Sequence, residues 1–237
     1  DAAAAAAAAR RAVWPTHVEY TNEYRWHEAV PPSVRKQYCA AAAVKRRRRA
    51  AAASSVCARR IDDADHPARN EVGLFAARRL LPGARLLDYV GLVSRSEEED
   101  LTSDYVAEFG ESGELALDAN LVGNEARFIN DFRNTGRRAN VEFRLRRASD
   151  GELRQGVYVC AAGGIDAGDE VLISYGKPFW RSRVGDLDAF ITRLPGHAQR
   201  WPPSSDLSGA AAQDADPAMV PTRGIDSGGL KRHRSFA

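Results

Sequence analysis

The chain has 237 residues, 44% hydrophobic and 28% charged, which is enough for one globular domain of ordinary size with flanks but not for a second full domain. Formal charge is only +2 yet unevenly spread, with 12 Lys/Arg against 4 Asp/Glu in residues 1–60, 14 against 22 in 61–180, and 8 against 6 in 181–237. No apolar run reaches the roughly 18 residues that cross a bilayer, and Cys39, Cys57 and Cys160 are too few and too scattered for a disulfide framework. No CxxC or CxC pair offers zinc spacing, so no metal is expected and a reducing compartment is the natural inference. The acidic middle suits a protein that handles a basic peptide, because a summed negative field concentrates a cationic partner. Glu97-Glu98-Glu99-Asp100 reads equally as a solvated face.

The chain opens on Asp1 and eight alanines, without the apolar stretch of a signal peptide, and the absent initiator Met reads as a fragment or a processed chain. Residues 1–12 and 40–60 are Ala/Arg-rich with little apolar periodicity, which predicts marginal helix rather than a packed element. Between them Trp14, Tyr20, Tyr24 and Trp26 form an aromatic cluster that must bury, and Pro31-Pro32-Ser33 precedes a short helix at about 33–44. This segment is expected to pack on the outside of the main domain. Lys45-Arg46-Arg47-Arg48-Arg49 could bind a nuclear import receptor or nucleic acid phosphates, and reads equally as a solvated helix end.

From Ile61 the texture changes to short apolar runs separated by turn residues, the mark of many short strands. Val72–Ala77 and Arg85–Val90 read as strands around a Pro82-Gly83 turn. Ser96–Leu101 reads as one or two helical turns, with Ser96 and Glu99 in capping-box relation. Tyr105–Phe109 and Glu114–Asp118 flank a Gly110–Gly113 turn. Val141, Phe143 and Leu145 alternate with charged residues, and Asp150-Gly151 signals a hairpin before Val157–Ala161. Val184–Leu194 has an amphipathic helix pattern, and Pro202-Pro203 opens a Ser/Gly/Ala-rich stretch that reads as disordered. The expected division is an N-terminal flank (1–60), one β-rich domain (61–180), and a helix with a disordered tail (181–237).

Within the domain, Gly73-Leu74-Phe75-Ala76, Asp88-Tyr89-Val90-Gly91, Arg127-Phe128-Ile129-Asn130 and Glu170-Val171-Leu172-Ile173-Ser174-Tyr175-Gly176 follow one another in that order. Together they resemble the SET-domain family of protein lysine methyltransferases, from about Ile61 to Trp180. The resemblance implies a mainly β fold with short helices, a β-clip-like arrangement of small curved sheets with a knot-like C-terminal substructure. Threading of that kind is rare, so Asn130 and the distant Tyr175 being required together is a specific signal.

The chemistry implied is methyl transfer from S-adenosylmethionine to a protein lysine. It needs a neutral amine, and at a reference pKa near 10.4 only about one lysine in a thousand is neutral near pH 7. A narrow aromatic channel that desolvates the amine and holds it in line meets that need. Tyr175, between an apolar strand and a turn-permitting Gly176, matches the family's catalytic tyrosine, with Tyr105 as a second candidate and Tyr89 as a core residue. Asn130, whose carboxamide both donates and accepts, matches the cofactor-contacting asparagine. Asn70-Glu71-Val72-Gly73 matches the glycine-containing cofactor turn with only Gly73 of the usual pair kept, and Asn70 tolerates the left-handed backbone that such a turn needs. Asp131 and Trp180 complete the expected cofactor contacts, and Phe143, Ile173 and Phe179 the expected substrate contacts. Arg127 and Phe128 are expected to hold the substructure together.

The chain departs from the family pattern at several points. Asp131-Phe132-Arg133 stands where His-Ser usually follows the asparagine, Ala139-Asn140 replaces Pro-Asn, Ser174 precedes the tyrosine, and the flanking cysteine clusters are absent. Ile173 occupies a position that is aromatic in many relatives. Phe143 filling that space would favour more than monomethylation. The expected partner is a basic, lysine-containing protein segment, a histone tail being favoured, with nucleus the expected location and cytoplasm open. A catalytically silent SET protein that binds chromatin or another partner is the alternative. A third reading is a nucleic-acid binder using 45–49 and the Arg133–Arg138 loop. The enzyme reading predicts cofactor binding that survives removal of residues 1–60.

Overall fold

Turn residues keep the apolar runs short, and a computed structural model of the chain gathers them into small sheets. It describes residues 8, 10–39, 55–98, 100, 102–149, 151–177, 179 and 180. In chain order the strands are β1 (Glu19–Tyr20), β2 (Arg25–Trp26), β3 (Val56–Arg60), β4 (Val72–Ala76), β5 (Arg85–Tyr89), β6 (Leu92–Arg95), β7 (Val106–Phe109), β8 (Leu115–Asp118), β9 (Val122–Gly123), β10 (Asn130–Asp131), β11 (Val141–Arg147), β12 (Leu153–Val159) and β13 (Leu172–Ile173). An α-helix, α1 (Pro32–Tyr38), follows β2, and 3-10 turns occupy Ser96–Glu98 and Glu125–Phe128.

The largest sheet runs β2-β6-β8-β7, and a second, antiparallel one runs β11-β12-β5. Strands β3 and β4 form an antiparallel pair, while β1-β9 and β10-β13 are parallel pairs. The hairpins fall where the turn residues predict them. Phe109 pairs with Leu115 across a turn whose Gly110 and Gly113 both have positive φ, and Arg147 pairs with Leu153 across the turn at Gly151. The Ser96 hydroxyl donates to the Gly113 carbonyl at 2.7 Å, which ties the predicted helical turn to that hairpin. Its predicted capping partner Glu99 lies outside the described residues, as do the basic run 45–49 and the predicted helix 184–194.

Two expectations are corrected. Residues 56–60 are not accessory low-complexity chain. Val56 and Ala58 are buried, and the strand that they form pairs along the whole of β4. Nor does the aromatic N-terminal segment sit outside the domain. Strands β1 and β2 add to β9 and β6, and the Tyr24 and Tyr38 rings both pack at a tilt against Phe109, which is 1% exposed. The Tyr24 hydroxyl accepts the Gln155 N–H at 2.8 Å, so the flank also satisfies a buried donor of β12. Removing residues 1–60 would strip an edge from three sheets and open the core, so cofactor binding after that deletion is no test of function.

Chain direction at the centre of the fold turns on Gly91, between β5 and β6. A Cβ there would lie 2.1 Å from the Asp118 carbonyl oxygen, inside any permitted contact. The Gly91 carbonyl meanwhile accepts the Arg25 N–H at 3.0 Å, so the backbone is held from both sides. Gly91→Ala is expected to destabilise the fold by about 1–3 kcal/mol or more, as other overpacking changes do, read as a lowered midpoint in urea denaturation.

Candidate active site

Val171, Leu172 and Ile173 form an apolar run that the fold buries completely, and the segment 130–140 grips it on both edges. Asn130 lies opposite Leu172 and Asp131 opposite Ile173 in parallel register. The Phe132 N–H donates to the Ile173 carbonyl at 3.0 Å and the Asn140 N–H to the Leu172 carbonyl at 2.9 Å. Neighbouring carbonyls of a strand point to opposite edges, so β13 passes between the two ends of one loop, the knot-like arrangement that the resemblance implies. The Asn140 side chain locks it, donating to the Glu170 carbonyl and accepting the Leu172 N–H, each at 2.8 Å.

Tyr175 emerges from this clasp with its backbone and hydroxyl both committed. Its N–H donates to Asp131 Oδ2 at 2.6 Å and its hydroxyl to the Ile129 carbonyl at 2.7 Å. Gly176 then turns with φ of 81°. The Phe179 ring stands edge-on to Tyr175 at 4.8 Å, and Trp180 edge-on to Phe179 at 5.4 Å. Burial, with help from Tyr89, Asp131 and Tyr105, pushes the Tyr175 phenol well above its ordinary value, so it stays protonated.

Asp131 points inward. Its carboxylate accepts the Arg133 guanidinium and the Arg133 N–H, both at 2.8 Å, as well as the Tyr175 N–H. Burial pushes the Asp131 carboxyl up, against the pull of Arg133, the two backbone donors and Trp180. The pair is a buried tie between β10 and Tyr175, and any contact outward from this position falls to the backbone.

Asn130 faces the predicted turn. Its Nδ2 donates to Glu170 Oε1 at 3.0 Å and to the Val72 carbonyl at 3.5 Å, which sets Asn130 beside Val72 and Gly73. Asn70 has φ of 71°, supplying the left-handed residue expected of it, and the turn is closed by the Asn70 N–H donating to the Ile61 carbonyl and the Ile61 N–H to the Glu71 carbonyl, both at 2.9 Å. Gly73 is required by packing, because a Cβ would meet Glu170 Oε1 at 2.8 Å and Phe75 at 3.0 Å.

A second aromatic group lies alongside. The Tyr89 hydroxyl donates to the Tyr105 carbonyl at 2.6 Å, and its ring packs on Phe143 at 5.1 Å. Burial pushes the Tyr89 phenol up. The Arg127 guanidinium lies 4.1 Å from the Tyr105 ring centroid and donates through Nε to the Ala119 carbonyl at 3.0 Å, a tie between loop and strand. Tyr105, Phe143 and Tyr175 pack against one core, which also contains Ile173.

The structure thus brings Asn130, Asp131, Tyr175, Phe179 and Trp180 around the β10–β13 pair, with Asn70–Gly73 on one side, and it groups Tyr105 and Phe143 through Tyr89. Sequence reasoning missed Glu170 and His66, which join this site from the interior: His66 Nε2 lies 2.9 Å from Glu170 Oε2. A charged residue leading directly into a fully buried apolar run was the available signal for Glu170. Nothing in the sequence singled out His66. Because Arg133 is buried and its carboxylate partner is Asp131, Asp131→Ala is expected to lose about 3–5 kcal/mol in chemical denaturation, and combining it with Arg133→Met should recover most of that loss.

The family model described as "SET domain" matches residues 71–176. No curated protein sequence matches the chain. Among solved structures, polycomb repressive complex 2 of Chaetomium thermophilum is 23% identical with a TM-score of 0.41, covering 53% of this chain and 16% of that one. A complex of KRYPTONITE with mCHH DNA, H3(1-15) peptide and SAH is 20% identical with a TM-score of 0.39, covering 51% of this chain and 23% of that one. An autoinhibited ctPRC2 bound to S-adenosylmethionine is 22% identical with a TM-score of 0.42, covering 60% of this chain and 17% of that one. The chain spans under a quarter of the length of each. The match across 71–176 identifies that segment as a SET domain, in keeping with its mainly β architecture and the double-edged clasp on β13.

Proposed function

We propose that the chain is a protein-lysine N-methyltransferase that uses S-adenosylmethionine, with a basic histone tail as its favoured substrate. The observation that carries this reading is the convergence of Asn130 and Tyr175 on the β10–β13 pair inside the SET segment. S-adenosylmethionine supplies a methyl group on a positively charged sulfur. The residues present suit its amino-acid end. Asn130 is partly exposed, its nitrogen is occupied by Glu170 and Val72, and its oxygen has no partner among the described residues, which leaves an acceptor for an ammonium group. The Asn70–Gly73 turn lies beside it, and Trp180 and the Asp131 backbone would border the same group.

Tyr175 supports the chemistry by staying neutral. A phenol that already donates to the Ile129 carbonyl keeps its oxygen lone pairs for a substrate N–H, so Tyr175 orients the amine without taking its proton. That proton leaves to water before transfer. Phe179 and Trp180 exclude water from one side, while Tyr105 and Phe143 would line the lysine approach. Phe143, which has no hydroxyl, filling the space left by Ile173 would favour addition of more than one methyl, a point that mass spectrometry of a product peptide decides. The acidic segment 61–180 would attract a basic tail, and the run at 45–49 would direct the protein to the nucleus or contact nucleic acid.

Calorimetric titration with S-adenosylhomocysteine tests the reading. Micromolar binding that Asn130→Ala abolishes is expected, and no binding by a demonstrably folded chain would overturn the enzyme and leave a SET-shaped interaction module. With a peptide substrate, Tyr175→Phe should lower the rate about 100-fold through misplacement of the amine. The rate of the unsubstituted chain should rise with pH as the amine loses its proton, with no falling limb from Tyr175 below pH of about 10.

A further inference from the structure

We infer that His66, acting through Glu170, is a positioning residue for Asn130, and that the pair sets the affinity for the amino-acid end of the cofactor. This rests on the methyltransferase reading. His66 lies on the loop before β4 and Glu170 leads into β13, yet their side chains meet at 2.9 Å with only 8% and 4% of their side-chain surface exposed. The ring orientation is fixed by the loop itself. The Ala68 N–H donates to His66 Nδ1 at 3.0 Å, so Nδ1 is the acceptor and Nε2 carries the hydrogen that is donated to Glu170 Oε2.

Glu170 then has one oxygen for His66 and the other for Asn130 Nδ2, at 3.0 Å. A carboxylate accepts from two converging donors, which a carboxamide cannot do with the same two atoms. With its nitrogen held toward Glu170 and the Val72 carbonyl, the Asn130 amide can present only its oxygen outward. The packing is tight enough to transmit position, since Glu170 Oε1 fills the space that a Cβ on Gly73 would need. Without His66, Glu170 could turn away from Asn130, and the amide could rotate to present nitrogen where a cofactor ammonium requires oxygen.

The test measures two ligands on four folded proteins: the full chain, His66→Ala, His66→Gln and Glu170→Gln, each checked by thermal melting. S-adenosylhomocysteine carries the amino-acid end, and 5′-methylthioadenosine shares the adenosine part without it. His66→Ala and Glu170→Gln should each weaken S-adenosylhomocysteine about tenfold or more, the scale of one lost orienting interaction, and leave 5′-methylthioadenosine binding unchanged. His66→Gln, which keeps a donor toward Glu170, should restore most of the affinity. Equal weakening of both ligands, or no weakening of S-adenosylhomocysteine, would overturn the positioning role while leaving the methyltransferase reading intact. Absence of S-adenosylhomocysteine binding by the full chain would overturn both.

Discussion

The clasp on β13 is the constraint that the rest of the structure serves. Three buried apolar residues have no stable place except between the two ends of the 130–140 loop, and hydrogen bonds on both edges hold them there. Everything with a chemical role is referred to that strand. Asn130 is its parallel neighbour, and Asp131 ties down Tyr175, two residues beyond its end. Glu170, just before the strand, reaches the Gly73 turn and the His66 loop. The site is therefore a property of one junction rather than of any single sheet, which explains how such short strands support it.

The polar side chains that hold this junction closed, Asn140 and Asp131, each bond to partners of the right kind. Asn140 uses its donor and acceptor on neighbouring backbone groups of the buried strand, where an apolar side chain would leave both unsatisfied. Asp131 and Arg133 neutralise one another, and the carboxylate also accepts two backbone donors. Such networks hold a single geometry because partial satisfaction in a low-dielectric interior is costly. Rigidity of this kind suits a reaction whose rate depends on alignment.

Strands β4, β5, β7, β8 and β11, the hairpins and left-handed Asn70 were legible from the sequence because each has a local cause: a short apolar run or alternation, a Gly-containing turn, or a residue tolerant of positive φ. The clasp was legible only through the resemblance, since nothing local in Asn130 announces a partner at Leu172. Reading failed where burial comes from distant chain. Val56–Arg60 follow an Ala/Arg-rich stretch and carry two arginines, yet they become a strand because β4 offers a free edge. The N-terminal aromatics looked peripheral because their partners, Phe109, Phe128 and Gln155, lie about 100 residues away or more in several cases. His66 was silent for the same reason, its only cue being Glu170 far downstream.

The parallel register of β10 with β13 carries a consequence for how the protein comes to exist. Strand β13 is the last of the described strands to be synthesised, so the clasp cannot close before it emerges. On a ribosome the hairpins and much of the larger sheet emerge first, with Asn130 already synthesised but its carboxamide unanchored. Glu170, Leu172 and Tyr175 arrive afterwards, and their arrival completes the clasp and the site in one event. A nascent chain stalled before that point would hold most of the core and none of the chemistry.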